Sequence, residues 1–319
     1  MKNVYRIGAN TFFDAVREPV YALMLAVGVL LILNYPAAAL YAFREQIKMV
    51  TDSSLATVLL FSFLAGVLIS GAVVAKELRN GTTLLLFSKP LGRSSFVFGK
   101  VFGVAAATLF FALVLGCATL IALFIATDQF RFDLAIYIWS LVLVVIAALA
   151  ALTANFITGS PFAQSFSFFS AAFLFGELVV ILIRAEHPEF ALTETVKALL
   201  ILFAALPAAA VLSAILALKF DTVPLLCIMT LVFFVGMMSD YLFGTPAGGV
   251  WRREVSKYLY AALPDWQFFW VADALAMKRH IPWKLLLFDL IYSGVYSAII
   301  IAWGILFFRS RELPGDDGK

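Results

Sequence analysis

Three carboxylates stand inside otherwise apolar stretches of this sequence: Glu177, Asp240 and Asp289. A charged carboxylate at mid-membrane costs about 2.5 to 3.5 kcal/mol on insertion scales, so such a group faces protein, water or a partner, or carries a proton. Glu177 lies well inside its span and has two readings. One is a transport-pathway or proton-coupling group; the other is a hydrogen bond between helices. The three acids are scattered, and none recurs at i, i+3 or i+4, so they make no paired acid–base site. The sequence has no GxxxxGK[ST] phosphate loop and no HExxH, CxxC or GxSxG. Its two histidines, His187 and His280, fall in loops and cannot build a metal cluster. Cys117 and Cys227 fall inside apolar runs and read as lipid-embedded or core thiols. An enzyme is not expected, nor any cofactor.

The other chemistry-bearing group is a basic one. Lys76, Arg79, Lys89, Arg93 and Lys100 share the stretch from Lys76 to Lys100 with one acid, Glu77, between two strong hydrophobic spans. A simple reversal needs only a handful of residues. This stretch has internal punctuation instead. Lys76 to Asn80 continues the preceding helix and Gly81 is a natural stop for it. Thr82 or Thr83 caps a new short helix carrying Leu84, Leu85, Leu86 and Phe87. Pro90 and Gly92 end that helix, and Ser94 or Ser95 caps the next span. The expected product is a short amphipathic helix at the membrane surface on which another protein can push.

Composition names the elements that must hold these groups. The 319 residues are 63% hydrophobic and 13% charged, with mean hydropathy +1.00, against about 25% charged in a soluble domain. The chain reads as an all-α integral membrane protein, a single transmembrane domain over 1–319. A net charge of +3, with no basic run interleaved with aromatics, argues against nucleic acid. Residues 1–19 are amphipathic without a clear apolar signal core, so an interfacial helix stopped by Pro19 is expected there rather than a cleavable leader. Eight spans follow at about 20–43, 54–75, 101–126, 134–157, 162–183, 198–218, 222–244 and 285–308. Pro36 kinks the first without ending it, and Gly66 and Ser70 make a small face for close packing in the second.

Residues 245–284 form the longest interspan region, rich in Trp, Tyr and basic residues, and read as short helices on the membrane face. Eight spans leave both termini on one side. With the N-terminus inside, the inner segments hold twelve basic residues, and the outer side holds five outside that long aromatic region. Short loops dominate the positive-inside rule, so cytoplasmic termini in the plasma (inner) membrane are expected. If one span of the 198–244 hairpin failed to cross, the aromatic region would move inside.

The segment from Ala75 to Thr82, then Leu84-Leu85-Leu86, Ser88-Lys89-Pro90, Arg93 and Phe96 to Lys100, resembles the signature of exporter-type ABC-transporter permeases. It is most similar to their NosY-like branch, the permeases of multi-copper enzyme maturation. Ala9 to Arg17 resembles that family's elbow helix, and Leu263 to Arg309 its external segment and last span. The departure is the pair of spans at 198–244, since these permeases usually have six. The resemblance implies an exporting permease that pairs with a second permease copy or paralogue and with separate ABC ATPase subunits. It places Glu77, Arg79, Gly81, Thr82, Leu84, Leu85, Leu86, Pro90 and Arg93 in a cytoplasmic coupling helix. Two other classes fit the residues: a non-transporting membrane anchor of the same architecture, and an ion-coupled carrier using Glu177. A carrier should carry inverted repeats, and none is clear.

Overall fold

The structure, a computed structural model, describes residues 2–40, 45–79, 93–127, 131–184, 190–244, 258, 260, 263–277 and 279–309. Helix α1 (Lys2–Arg17) is followed at Pro19 by α2 (Pro19–Ala39), with Pro at the start of the first turn where no amide proton is needed. Pro36 lies inside α2, which runs on to Ala39. Helix α3 (Gln46–Ile69) passes through a π-helical turn (Ser70–Ala75) into the short α4 (Lys76–Arg79). Helix α5 (Arg93–Ile125) leads into a two-residue antiparallel pairing of β1 (Ala126–Thr127) with β2 (Arg131–Phe132), with Ala126 opposite Phe132. Asp133 caps α6 (Leu134–Thr158) by accepting from the amides of Ala135 and Ile136 at 3.0 and 3.1 Å. Gly159, at φ +68°, ends α6 in the left-handed conformation. Helices α7 (Phe162–Arg184), α8 (Phe190–Leu216), α9 (Thr222–Met237), α10 (Ala272–Ala276) and α11 (Trp283–Arg309) complete the described chain.

Among the described residues seven helices are long and apolar enough to cross a bilayer. The chain is a multi-pass all-α membrane protein. The eighth expected span, 222–244, differs: α9 has 16 residues, about 24 Å at 1.5 Å per residue against a hydrocarbon core of about 30 Å. It breaks at Met238, and a π-helical turn (Asp240–Gly244) follows. The returning chain meets it. A side chain on Gly236 would collide with the Pro264 carbonyl and with Trp266, and Phe63 of α3 packs on both Phe233 and Trp266. Trp266, Phe269 and Ile281 are buried, so this part of 263–283 is tucked against helices. Irregular backbone near the apolar layer needs such protein cover.

Helices α3, α5 and α8 form the buried centre, whereas α6, α7 and α11 show long rows of exposed Leu, Ile, Val and Phe, the surface lipid covers. The centre is close-packed through small residues, as membrane interfaces require. A Cβ on Gly66 would lie 2.9 Å from Thr108 Oγ1, and Ser70 Oγ is 2.8 Å from Ser213 Oγ of α8. Three helices begin earlier than their hydropathy indicated, α3 at Gln46, α5 at Arg93 and α8 at Phe190. Helix α5 is therefore already under way at Ser94 and Ser95.

Contacts sort the bundle into two ends. At one end α1 lies on the start of α5, Arg17 reaches Gln164 at the start of α7, and Lys219 lies 5.6 Å from the Phe307 ring near the end of α11. At the other, Tyr137 donates to Asn34 at 2.9 Å and Glu194 of α8 binds the loop before α11. Both α1 and the last turns of α11 thus lie at the end that carries Lys76.

Candidate functional site

The described flanks of the 76–100 segment meet each other. Lys100 Nζ, on the second turn of α5, lies 2.6 Å from Glu77 Oε2 on α4, with the lysine buried and the acid partly covered. The same ammonium sits 5.8 Å from the Phe96 ring centre, a favourable face for a cation. A charge-assisted contact this short joins two helices whose intervening chain is thirteen residues, 80–92. The mouth of the segment is clamped.

Helix α1 holds the same corner from outside. Gly99 and Gly103 are four apart on α5 and leave a groove: a Cβ on Gly99 would lie 2.6 Å from the Ile7 side chain, and one on Gly103 2.5 Å from Thr11 Cβ and the Gly8 carbonyl. The amphipathic helix can seat its backbone there because both positions lack side chains. Phe12 extends the contact, edge-on to Phe110 with ring centres 5.9 Å apart. The Gly99-x-x-x-Gly103 spacing is visible in the sequence, but nothing along the chain shows that it receives α1.

On the α3 side the π-helical turn lies directly before α4. Such turns are rare and concentrate at functional places. Residues distant in the chain pack it: Gly71 faces Thr222 of α9, whose Oγ1 would stand 2.6 Å from a Cβ there, while Ser70 bonds both the Gly66 carbonyl and Ser213, each at 2.8 Å. The widened turn lets α3 pass two helices at close range and still aim α4 at Lys100.

Of the residues expected to engage a partner, Glu77 is in this clamp, and Arg79 and Arg93 end α4 and begin α5. Gly81, Thr82, Leu84, Leu85, Leu86 and Pro90 lie outside the described residues. Glu177 is elsewhere, on α7, where its Oε1 accepts from Ser140 of α6 at 2.8 Å. The Ser140 hydroxyl also lies 2.9 Å from the Ile136 carbonyl, and its single proton cannot serve both fully. Glu177 Oε2 is buried without a hydrogen-bond partner among the described residues. Asp289 on α11 is likewise fully buried, with both oxygens unpartnered among the described residues.

A polar cluster lies at the opposite end. Glu194 and Lys197 fall between the expected spans 162–183 and 198–218, yet both lie in the first turns of α8. Glu194 Oε2 accepts from the Ile281 amide at 2.7 Å, and its Oε1 meets Lys197 Nζ at 2.7 Å and His280 Nδ1 at 3.1 Å. Lys197 donates on to the Ile281 carbonyl at 3.2 Å. This network ties the connection into α11 onto α8. The i, i+3 spacing of Glu194 and Lys197 was its signal.

The sequence matches the family described as ABC-2 family transporter protein over residues 23–220, more than half the chain. No curated protein matches it.

Proposed function

Because the chain belongs to the ABC-2 family of transporter proteins, a membrane component of ABC transporters, we propose that it exports substrate as one half of a permease pair driven by separate ATPase chains. The driving movement enters through residues 76–100 and passes into α3 and α5 together. The observation that carries this reading is the Glu77–Lys100 clamp. An isolated connector needs no buried ion pair across its mouth. A handle that must displace two helices as one body does, because a rigid element transmits displacement that a slack loop would absorb. Helix α1, seated on Gly99 and Gly103, braces the same corner against the membrane surface.

Under this reading Lys76, α1 and the end of α11 face the cytoplasm of the cell whose plasma membrane holds the protein. The arrangement of 194–197 and 280–283 then lies outside. The NosY-like branch draws its support from the motif at 75–100, and the second permease is a copy or a paralogue. Substitutions Gly81→Pro and Glu77→Arg test the coupling role. In membranes holding the assembled complex, both should leave the helices folded while ATP hydrolysis no longer tracks transport. Unchanged co-purification of an ATPase together with unchanged coupled turnover in both variants would defeat the proposal.

A further inference from the structure

Where α1 turns into α2, a cleft of about 420 Å³ opens between that corner and the π-helical turn, lined by Arg17, Glu18, Ala72, Val73, Lys76 and Glu77. This volume falls within the usual range of small-ligand sites. Its charges differ in how they are employed. Arg17 donates through Nε to Gln164 at 2.8 Å and lies 3.8 Å from Asp14, which also lines the cleft. Glu77 belongs to the Lys100 clamp. Among the described residues, the side chains of Glu18 and Lys76 make no hydrogen bond or ion pair, with each other or with any other residue. One free carboxylate and one free ammonium therefore share a cleft without neutralising each other.

We propose that this cleft binds a zwitterionic phosphoamine group such as the headgroup of an aminophospholipid, with the phosphate at Lys76 and the ammonium at Glu18. The depth is right: an amphipathic helix and the first residues of a span meet at the headgroup layer. A compact lysine ammonium suits a phosphate as a point charge, and a carboxylate accepts strong hydrogen bonds from a primary ammonium. A purely anionic headgroup would answer Lys76 but set a second negative charge against Glu18. A quaternary ammonium would satisfy the charge of Glu18 without donating to it. Ala72 and Val73 form an apolar wall beside which acyl chains can descend. Occupancy concerns the α1–α2 corner and stands apart from pairing with an ATPase.

Native mass spectrometry of the purified full chain, delipidated in detergent and given phosphatidylethanolamine or phosphatidylglycerol, tests the assignment. The ethanolamine lipid should be retained roughly fivefold better, the scale of one partly exposed charged contact. Glu18→Gln should abolish that preference, and Lys76→Gln should weaken retention of both lipids. Equal retention of the two lipids by the unaltered protein would overturn the proposal, and that comparison decides even if a variant fails to fold. A preference untouched by both substitutions would also overturn it. Soluble glycerophosphoethanolamine separates the sources: full displacement of the lipid at matched concentration assigns the cleft to a free phosphoamine, and failure to displace assigns it to the membrane-borne form.

Discussion

Removing Glu77 alone from the Glu77–Lys100 pair should cost more than removing both partners. The side chains are 29% and 5% exposed, respectively, at a separation of 2.6 Å. Glu77→Gln leaves a buried ammonium. Breaking a fully buried pair this way costs about 3 to 5 kcal/mol, and the partial exposure of the glutamate reduces the expected loss to about 2 kcal/mol. Lys100→Met keeps the lysine stem volume and leaves a carboxylate that can turn to water, so about 1 kcal/mol is expected. The double variant E77Q/K100M removes both charges of this pair and should come within about 1 kcal/mol of the original, since buried pairs often exchange neutrally for apolar groups. The cycle therefore predicts an interaction of about 2 kcal/mol. Equilibrium unfolding of the purified protein in mixed micelles, followed by tryptophan emission, supplies the four stabilities. Losses that simply add, with an interaction below about 0.5 kcal/mol, would refute the claim that this pair holds the two flanks together.

Other expectations concern the remaining contacts. Gly103→Leu drives a side chain into Thr11 and the Gly8 carbonyl; overpacking of about 1 to 3 kcal/mol should lift α1 from α5 and expose it to limited proteolysis, whereas Gly176→Leu, with open space at its Cβ, should not. Glu194→Ala strips the Ile281 amide and Lys197 of their shared acceptor, and about 2 to 4 kcal/mol of lost stability should appear with faster hydrogen exchange at 279–283. Single cysteines at 219 and 280, in a background lacking Cys117 and Cys227, should react with an impermeant thiol reagent from opposite faces of sealed vesicles. Labelling of both from the same face would mean that α9 or α11 does not carry the chain across.

Much of the bundle was legible because a lipid-buried helix must be apolar throughout its length, and turns between such helices need Gly, Pro or a capping acid. Asp133, Gly159 and Pro19 act in the structure as their types indicate. Helix starts were less legible. Hydropathy reports the lipid layer, and it is silent on polar first turns such as Gln46–Ser53, where Gln46, Val50 and Thr51 are buried, or Phe190–Lys197, where Glu194 accepts from the Ile281 amide. The length of α9 was hidden for a related reason: residues 238–244 are apolar enough to continue, yet Ser239 is buried and the chain turns where Trp266 closes over Gly236. Within the candidate site, the charges of Glu77 and Lys100 were plain, but their pairing is set by the direction in which α4 and α5 leave the membrane. No pattern along one strand of sequence records that. The π-helical turn was equally unreadable, since it answers to Thr222 and Ser213, both distant in the chain.

The claim on which the account rests is that force reaches the membrane helices through the segment between Glu77 and Lys100. A photo-reactive amino acid at position 85, introduced into the full chain in native membranes and activated there, tests this most directly. A crosslink to a nucleotide-hydrolysing chain, lost when that chain is depleted, is the expected result. Crosslinks to lipid alone, or to a protein on the outer face, would contradict it.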